Sequence, residues 1–340
     1  MSRLSNLWLL PEVQAADLNP RCTVIVLNYN GEDLLPRCLD SLAPQRSESV
    51  EVVVVDNAST DGSAALVAQK YPWVRFIALD KNYGFSAANN IALREILSAE
   101  VEFALLLNND TFVAPDFIAQ MLVAMSIDPR IGAVCPKIYF ADKPKVLWYA
   151  GADFNSWTGR VTTRGWKRED HGLFDAEGEI TQATGCAMLL RGSALREVGL
   201  FDEQFWAYVE DLDLSVRLRR SGYKLVYASK AHVWHWDGAT AVKSLGSGSQ
   251  ALRQYLSTRN FVLLARKHVR WWQVPTFTLG FVLHHLAFYS ALRLWRRDYR
   301  AFYAIYNGLG EGLAASLSSS LNQKAKPGSG APQMTRRPGA

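Results

Sequence analysis

The stretch VVVVDNASTDGS at residues 52–63 decides the fold class, because a short run of β-branched residues ends abruptly in a polar cluster. The same pattern occurs earlier at residues 22–31 (CTVIVLNYNG) and again at residues 73–84 and 102–110. Segments with helical patterning separate these four runs. Strands that are apolar throughout and alternate with helices predict an α/β fold with a parallel sheet covered on both faces.

The polar clusters that end the four strands are predicted to lie side by side. Parallel strands place their carboxyl ends at one edge of a sheet, and ligands of open α/β sheets bind beyond that edge. A turn explains any one cluster, but four clusters at one edge favour a binding site. The sequence has neither a GxGxxG nor a GxxxxGKS/T motif, so neither a dinucleotide site nor a P-loop is supported.

Charge is distributed unevenly along the 340 residues. The formal net charge is +5, but residues 241–340 hold 14 Lys and Arg against 2 Asp and Glu, which gives +12 there and −7 in residues 1–240. Hydrophobic residues make up 49% of the chain, which excludes a disordered protein. The uneven charge indicates chemistry in the acidic part and an anionic surface as the partner of the basic part.

Cysteine usage and the N-terminal segment indicate the compartment. The four cysteines at positions 22, 38, 135 and 186 are widely spaced and form no CxxC pair, which predicts free thiols in a reducing compartment. Residues 1–20 lack the charged, apolar and small-residue regions of a signal peptide. The sequence therefore predicts a cytoplasmic location.

A candidate cation site follows the fourth strand at Asn108-Asn109-Asp110. A carboxylate at the end of a buried strand is held by the sheet and faces the crevice, where it can bind a divalent cation together with a diphosphate. Asp110 is the strong anionic ligand in this triplet. An Asx turn ahead of a helix is the alternative interpretation of the same residues.

Two further clusters carry candidate chemistry. Glu210-Asp211 opens a helical segment beside aromatic residues, so Asp211 is either a general base or a helix cap, and Asp213 with Arg217 forms a plausible i,i+4 pair. On a strand, His235 shares a face with Val233, opposite the neighbouring Trp side chains. It is either a cation ligand or a hydrogen-bonded histidine of the core.

Taken together, these segments resemble family 2 inverting glycosyltransferases of the GT-A fold, most closely the bacterial rhamnosyltransferase-like enzymes of cell-surface polysaccharide assembly. The resemblance covers residues 22–240 and extends towards residue 313. The motifs, in order, are TVIVLNYNG, VVVVDNASTDGS, NYGFSAANN, LLLNND, TGCAMLLR, FWAYVEDLDLSVRLRRSGY, WHWDG, YLSTRN and YNGLGEGL. The resemblance implies a Rossmann-like, mainly parallel mixed sheet flanked by helices, with a C-terminal helical membrane-proximal extension.

The resemblance implies roles at the donor end of the site. Asp56 would recognise the nucleobase. The other residues implied at the nucleoside and diphosphate are Asn28, Asn30, Asn82, Gly84, Asn89, Asn108 and Asn109. Asp110 would be the ligand of Mg²⁺ or Mn²⁺. Asn108 departs from the family's Asp-x-Asp motif, which keeps a catalytically impaired sugar- or nucleotide-binding protein open as an alternative.

The resemblance also implies roles around the reacting centre. Asp211 would be the catalytic base with Glu210 beside it, and His235 would complete metal or diphosphate binding. The residues implied around the donor sugar are Thr184, Gly185, Trp206 and Tyr208. The implied reaction transfers a sugar, rhamnose from dTDP-rhamnose, with inversion to a hydroxyl of a lipid-linked glycan at the inner face of the bacterial membrane.

The expected domain organisation places one catalytic domain ahead of a helical extension. The expected divisions are an N-terminal arm at 1–20, a GT-A domain at 21–243 with a nucleotide-sugar half at 21–112 and an acceptor half at 113–243, a helical extension at 244–318, and a disordered basic tail at 319–340.

Residues 271–292 contain no Asp, Glu, Lys or Arg and are flanked by basic residues. Basic residues on both sides favour a helix lying in the membrane interface over one that crosses the bilayer, so the sequence predicts contact with an anionic membrane surface through 266–300. A buried helical subdomain or an oligomer contact is the alternative. A nucleic-acid partner is disfavoured, because the basic residues flank an apolar run and do not line one polar face. The sequence does not indicate the oligomeric state.

Overall fold

The computed structural model describes residues 21–99, 101–238 and 248–324, and for 316–324 it describes the backbone alone. Its strands are β1 (Cys22–Asn28), β2 (Val50–Asp56), β3 (Arg75–Ala78), β4 (Phe103–Asn108), β5 (Thr111–Val113), β6 (Ile131–Phe140), β7 (Lys143–Tyr149), β8 (Ala152–Asn155), β9 (Arg160–Thr163), β10 (Gly178–Ile180), β11 (Ala187–Arg191) and β12 (Lys224–His235). Its α-helices are α1 (Leu35–Leu42), α2 (Ser63–Lys70), α3 (Gly84–Ser98), α4 (Phe117–Ser126), α5 (Gly192–Val198), α6 (Glu210–Arg220), α7 (Ser249–His268), α8 (Val274–Phe281), α9 (Phe288–Trp295) and α10 (Tyr299–Lys324).

The main sheet confirms the predicted parallel core. Its strands run in the order β10-β12-β6-β11-β4-β1-β2-β3, and β1 pairs in parallel with both β2 and β4. In this register Asn28 lies opposite Asp56, and Leu27 lies opposite Asn108. The polar residues that end these strands therefore meet at one edge of the sheet, as the sequence predicts.

The sequence of residues 131–180, with its glycines and tryptophans, predicts short strands and irregular structure, but its first part forms β6, a ten-residue strand that is almost wholly buried. The sequence also predicts two short strands at 225–228 and 232–236, where the structure has one strand, β12, which pairs in parallel with β6. Their register shifts just after the pair formed by Pro136 and Ala228. Because proline has no N–H to donate to the ladder, the interruption at this position has a local cause.

The C-terminal region is helical over the residues that the structure describes there. A 3₁₀ turn at Trp271–Gln273 leads into α8, a π-helical stretch at Val282–Ala287 joins α8 to α9, and α10 follows. Over the described ranges, the structure contains no helix with both the length and the apolar character needed to cross a bilayer. The predicted arm at 1–20 and residues 325–340 of the predicted tail lie outside the described residues.

A buried carboxylate links helix α6 to the C-terminal helix α7. Asp213 is fully buried, and its oxygens lie 2.8 Å from the Arg217 Nε, 2.8 Å from the His268 Nε2 and 2.7 Å from the Lys267 Nζ. The predicted i,i+4 pair is therefore present, with two further partners from α7. Burial by itself raises the pKa of Asp213, but the hydrogen bonds from His268 and Lys267 and the Arg217 charge bring it below its ordinary value.

Replacing Asp213 is expected to destabilise the whole molecule. Asp213→Asn leaves three cationic or polar partners around a neutral amide, and removing one partner of a buried ion pair costs about 3–5 kcal/mol. We expect the free energy of unfolding, measured by urea denaturation at pH 7, to fall by that amount. Because the folded pKa of Asp213 is lowered, the difference from wild type should shrink as pH falls below about 4, where the unfolded carboxyl takes up its proton.

The control for this prediction is Asp153→Asn, which removes a solvent-exposed pair with Arg164. Exposed pairs contribute about 1 kcal/mol or less, so this variant should unfold close to wild type. Equal losses in the two variants would contradict a special role for the buried carboxylate.

Candidate active site at the carboxyl edge of the sheet

A cavity of about 1240 Å³ opens beyond the carboxyl ends of the strands. Strand ends, the turn before α6 and the C-terminal helices contribute its walls. The predicted site residues that line it are Asn82, Gly84, Asn108, Asn109, Asp110, Thr184, Gly185, Trp206, Tyr208, Glu210, Asp211 and His235. Residues from distant parts of the sequence, predicted separately to act on one substrate, thus face one space.

Four predicted nucleotide residues do not line this cavity and instead support it. Asn28 donates from Nδ2 to Asp56 Oδ1 over 2.8 Å, and Asn109 donates from Nδ2 to Asn28 Oδ1 over 2.7 Å. These bonds connect the ends of β1, β2 and β4. Asn30 accepts the backbone N–H of the β2–α2 loop at residue 60, and Asn89 donates to the backbone of α3 at residue 85. Contact of these four with the nucleoside stays a prediction.

Asn57 is a residue of the donor end that the sequence prediction missed. Its Nδ2 donates to Asn82 Oδ1 over 3.0 Å and to the Gly84 carbonyl over 3.1 Å, and its Oδ1 accepts the Tyr83 N–H over 2.8 Å. Asn57 lines the cavity and holds the turn that carries Asn82 and Gly84. Its position directly after Asp56 in the DNAS cluster was the available signal.

Asp110 and His235 form the candidate metal site. The pairing of β12 with β5 sets His235 opposite Thr111, which places its Nε2 3.3 Å from Asp110 Oδ1. Both side chains are buried, and His235 and Val233 share the buried face of β12, as the predicted alternation requires.

The donor set at this site suits a cation shared with a diphosphate. In the part of the chain that the structure describes, no group of three or more His, Cys, Asp or Glu side chains could hold a metal ion by itself. Asp110 and His235 supply one carboxylate and one imidazole, and Mg²⁺ in nucleotide sites takes its remaining ligands from phosphates and water. Burial lowers the pKa of His235, but Cys186 and Asp110 raise it well above its ordinary value, whereas a bound cation favours the neutral imidazole.

Asp211 is held at a fixed depth in the cavity by two backbone groups. Its Oδ2 accepts the Gly185 N–H over 3.0 Å, and its Oδ1 accepts the Leu212 N–H over 2.7 Å. A side chain at position 185 would collide with the Phe85 ring, since a Cβ there would lie 2.9 Å from a ring carbon. The N-cap residue of α6 is Val209, which makes no side-chain capping bond, and Asp211 in the first turn satisfies only the adjacent N–H, so its role as general base stays a prediction. Burial raises the pKa of Asp211, and the two hydrogen bonds offset part of that rise.

Glu210 differs from Asp211 in its surroundings. It is buried, and its Oε2 has no hydrogen-bond partner within the described ranges. Burial, together with repulsion from the Asp211 charge, raises the pKa of Glu210 well above its ordinary value. Two backbone N–H groups stabilise a negative charge on Asp211, whereas none of the described residues does so at the Glu210 Oε2, so Asp211 is the member of the pair better placed to carry the charge and accept a proton.

The turn that presents these carboxyl groups has a strained backbone. Trp206, Tyr208 and Val209 have φ values of 60°, 67° and 74°, in a region that non-glycine residues seldom occupy. Asn260 of α7 holds the turn, because its Nδ2 lies within 2.8 Å of the carbonyl oxygens of Phe205, Ala207 and Tyr208. In the sequence, Asn260 ends the YLSTRN stretch, and nothing in its neighbourhood there indicates this role.

The same turn also contacts the donor end of the site. The Trp206 carbonyl accepts the N–H groups of Phe85 and Ser86 at the start of α3. Gly84 has a φ of +78°, and a Cβ there would lie 2.6 Å from that carbonyl oxygen. Glycine is therefore required at position 84 both for its backbone conformation and for this close approach.

Two further cavity-lining residues were not predicted. Trp148 lies edge-on to the His235 ring, with ring centroids 4.8 Å apart. Arg253 of α7 lies over the Tyr208 ring at 5.7 Å, with its Nη1 3.9 Å from Asp237 Oδ1. Trp148 belongs to the tryptophan-rich stretch after residue 131, and Arg253 belongs to the basic C-terminal region. Neither sequence pattern indicates which of its residues faces the cavity.

Comparison with known proteins agrees with this geometry. Residues 23–199 match the family model described as glycosyl transferase family 2, a range that ends before Glu210. The chain is 29% identical to an N-acetylglucosaminyl-diphospho-decaprenol L-rhamnosyltransferase of Mycobacterium tuberculosis, over 81% of this chain and 95% of the relative.

Two solved structures share the fold. One is GalNAc-T7 with UDP, GalNAc and Mn²⁺, with a TM-score of 0.54 and 16% identity over 72% of this chain and 48% of that one. The other is a mannosyltransferase of Pyrobaculum calidifontis with GDP-Man and Mn²⁺, with a TM-score of 0.52 and 20% identity over 90% of this chain and 80% of that one. At these sequence identities the structural similarity shows only that the chain has the same fold, the GT-A fold. With the family model matching more than half of its residues, the chain belongs to glycosyl transferase family 2.

Proposed function

We propose that the protein transfers a sugar, with inversion, from a nucleoside diphosphate to a hydroxyl group, and that a divalent cation assists the reaction. The observation that carries the proposal is that one cavity contains both Asp211, held by two backbone N–H groups, and the buried Asp110–His235 pair. These are the parts that a single displacement needs: a base for the incoming hydroxyl and support for the outgoing diphosphate.

In the proposed reaction the acceptor oxygen attacks the anomeric carbon from the face opposite the diphosphate. Asp211 takes the hydroxyl proton as the new C–O bond forms. The bond to the diphosphate breaks, and its electron pair stays on the diphosphate oxygen. Asp110 and His235 would hold Mg²⁺ or Mn²⁺, which supplies positive charge at that oxygen. Burial favours the neutral form of the Glu210 carboxyl beside the base, which limits its repulsion of the Asp211 charge.

The substrates are proposed from the relative of Mycobacterium tuberculosis, whose name specifies L-rhamnose and N-acetylglucosaminyl-diphospho-decaprenol. We infer that the donor is dTDP-rhamnose and that the acceptor is a lipid-linked saccharide of that kind. Both fit a cavity that combines polar strand ends with apolar residues of the C-terminal helices. Assembly of a cell-surface polysaccharide is the corresponding process.

We also propose that the segment 266–300 places the protein on an anionic membrane surface, at the inner face of the cell membrane. Trp271 and Trp295 at the two ends of this segment are 81% and 79% exposed. Other large apolar side chains exposed between them are Trp272, Val274, Leu279, Val282, Leu283, Phe288 and Leu294. Exposed tryptophans beside basic residues are typical of helices that lie at headgroup depth.

The base assignment predicts the effect of Asp211→Asn. An amide cannot take the hydroxyl proton, so the rate of sugar transfer should fall by about 10²- to 10⁴-fold. Binding of the nucleotide sugar, measured by calorimetry with Mn²⁺, should persist because Asp211 touches the acceptor side of the reaction. Wild-type activity should itself decline on acidification at a pH above the ordinary aspartate range, because burial raises the pKa of Asp211.

Glu210→Gln is the matched comparison, since it changes the adjacent carboxyl and leaves the base. Burial favours the protonated form of Glu210, so removing its ionisable group should change little. The transfer rate of this variant should fall on acidification over the same pH range as the rate of wild type. Full transfer by Asp211→Asn would refute the base assignment. Donor binding without transfer in the wild type would support the impaired binding protein instead.

The metal assignment predicts the effect of Asp110→Ala. Loss of the carboxylate ligand should raise the Mn²⁺ concentration needed for donor binding by more than the roughly 10- to 100-fold expected for loss of an outer-shell partner. Thermal shift measurements with nucleoside diphosphate across an Mn²⁺ titration provide the readout. Asn108→Ala is the comparison and should cost less, because a neutral amide is a weak ligand. An unchanged Mn²⁺ dependence in Asp110→Ala would exclude the ligand role.

The membrane assignment predicts that full-length protein sediments with vesicles containing phosphatidylglycerol and that added salt weakens this binding. Trp271→Ala combined with Trp295→Ala should release much of the protein into the supernatant. Leu173→Ala, at an exposed apolar position outside the segment, should sediment like wild type. If wild-type protein stays in the supernatant, the segment is not a membrane-binding surface.

A further inference from the structure

Three arginines from the C-terminal helical region line the cavity, and none of them is among the predicted site residues. Arg253 comes from α7, Arg293 from α9, and Arg296 follows α9 directly. Arg293 is only 7% exposed, and its Nη2 donates to Gln250 Oε1 over 3.1 Å. Its Nε is buried, and none of the described residues accepts a hydrogen bond from it. A buried guanidinium with an unused donor is costly unless a ligand uses that donor.

The carboxylates near the three arginines compensate their positive charge only in part. Asp298 Oδ2 lies 3.8 Å from the Arg293 Nη1, and Asp237 Oδ1 lies 3.9 Å from the Arg253 Nη1, both beyond hydrogen-bond distance. Burial and the neighbouring Arg296 and Arg253 charges lower the pKa of Arg293, although arginine stays protonated in proteins. Three guanidinium groups, partly compensated, favour a ligand with more than one negative charge. Arginine forks match the oxygens of phosphate groups in geometry as well as in charge.

The surface beside the arginines is apolar. Phe281, Phe288 and Leu292 line the cavity along the run from α8 through the π-helical stretch into α9, which ends just before Arg296. Phe288 is 59% exposed, so the apolar strip reaches the outer surface that we propose to contact the membrane. A ligand that satisfies both parts of this wall has a phosphate-containing head and a hydrocarbon tail.

We propose that Arg253, Arg293 and Arg296 bind the diphosphate of a prenyl-diphosphate acceptor, and that Phe281, Phe288 and Leu292 contact the first isoprene units of its chain. The acceptor role rests on the transferase function proposed above. Other residues of the same cavity, Asp110 and His235, form the proposed donor diphosphate site. Anchoring the acceptor through its diphosphate fixes how far its sugar reaches towards Asp211, which selects the hydroxyl that reacts.

Farnesyl diphosphate is the probe for this site, because it combines a diphosphate with isoprene units and lacks a sugar. Its binding to the full chain is measured by calorimetry with Mn²⁺ and saturating deoxythymidine or uridine diphosphate, so that the donor site is filled. We expect binding to wild type and a loss of affinity of about 10-fold or more in Arg296→Gln and in Arg293→Gln, since charge-assisted phosphate contacts are the strong ones. Farnesol should bind much more weakly than farnesyl diphosphate.

Arg300→Gln is the control, because Arg300 is exposed on α10 and lies outside the cavity. Nucleoside diphosphate binding verifies that each variant is folded. If the Arg293 variant does not fold because its side chain is buried, the Arg296 variant still tests the proposal, since Arg296 is exposed. Equal affinity for farnesol, an unchanged affinity in Arg296→Gln, or displacement of the probe by the nucleoside diphosphate would each overturn the second site.

The two proposals fail in different ways. If no donor supports transfer while the arginines still determine farnesyl diphosphate affinity, the diphosphate site stands and its acceptor role falls. If transfer proceeds but the arginines do not affect farnesyl diphosphate binding, the transferase proposal stands and the acceptor reaches Asp211 by another route.

Discussion

The three hydrogen bonds from the Asn260 amide to the turn at residues 205–208 constrain the rest of the site. A turn with several non-glycine residues at positive φ does not persist unless surrounding contacts determine it. Here the contacts come from α7, which the Asp213 cluster also fastens to α6. The proposed base Asp211, the turn before it and the start of α3 are therefore positioned by a helix that lies outside the range of the family model.

The sheet edge contributes a second layer of support. Asn28, Asp56 and Asn109 use their side chains on each other and so hold the strand ends in register. Residues one position away, such as Asn57, Asn108 and Asp110, face the cavity. Neighbouring Asn and Asp residues thus differ in what their side chains do although they look alike in the sequence, and Asn109 does both, because it lines the cavity and also bonds to Asn28.

Much of the fold followed from the sequence, because local patterns determine it. The Val52–Val55 run, the polar strand ends and the alternation around His235 each depend on a few neighbouring residues, and the structure has them as expected. The length of β6 was not predicted, because this strand pairs with β12, which lies about ninety residues further along the chain. The partners of Asn260 and the Arg293 cluster were missed for the same reason, since a polar residue on a helix shows no local sign of what it will meet.

Val209 shows what this arrangement means for stability and evolution. A β-branched residue at a φ of 74° stores strain of about 1–3 kcal/mol, yet its side chain packs with Phe205, Leu212, Leu263 and Leu264. Glycine would relieve the backbone strain and give up that packing, so the two effects of such a substitution on stability oppose each other at this position. Stabilising substitutions in this protein should therefore be easiest to accumulate elsewhere, and the few residues before the carboxyl pair should change slowly.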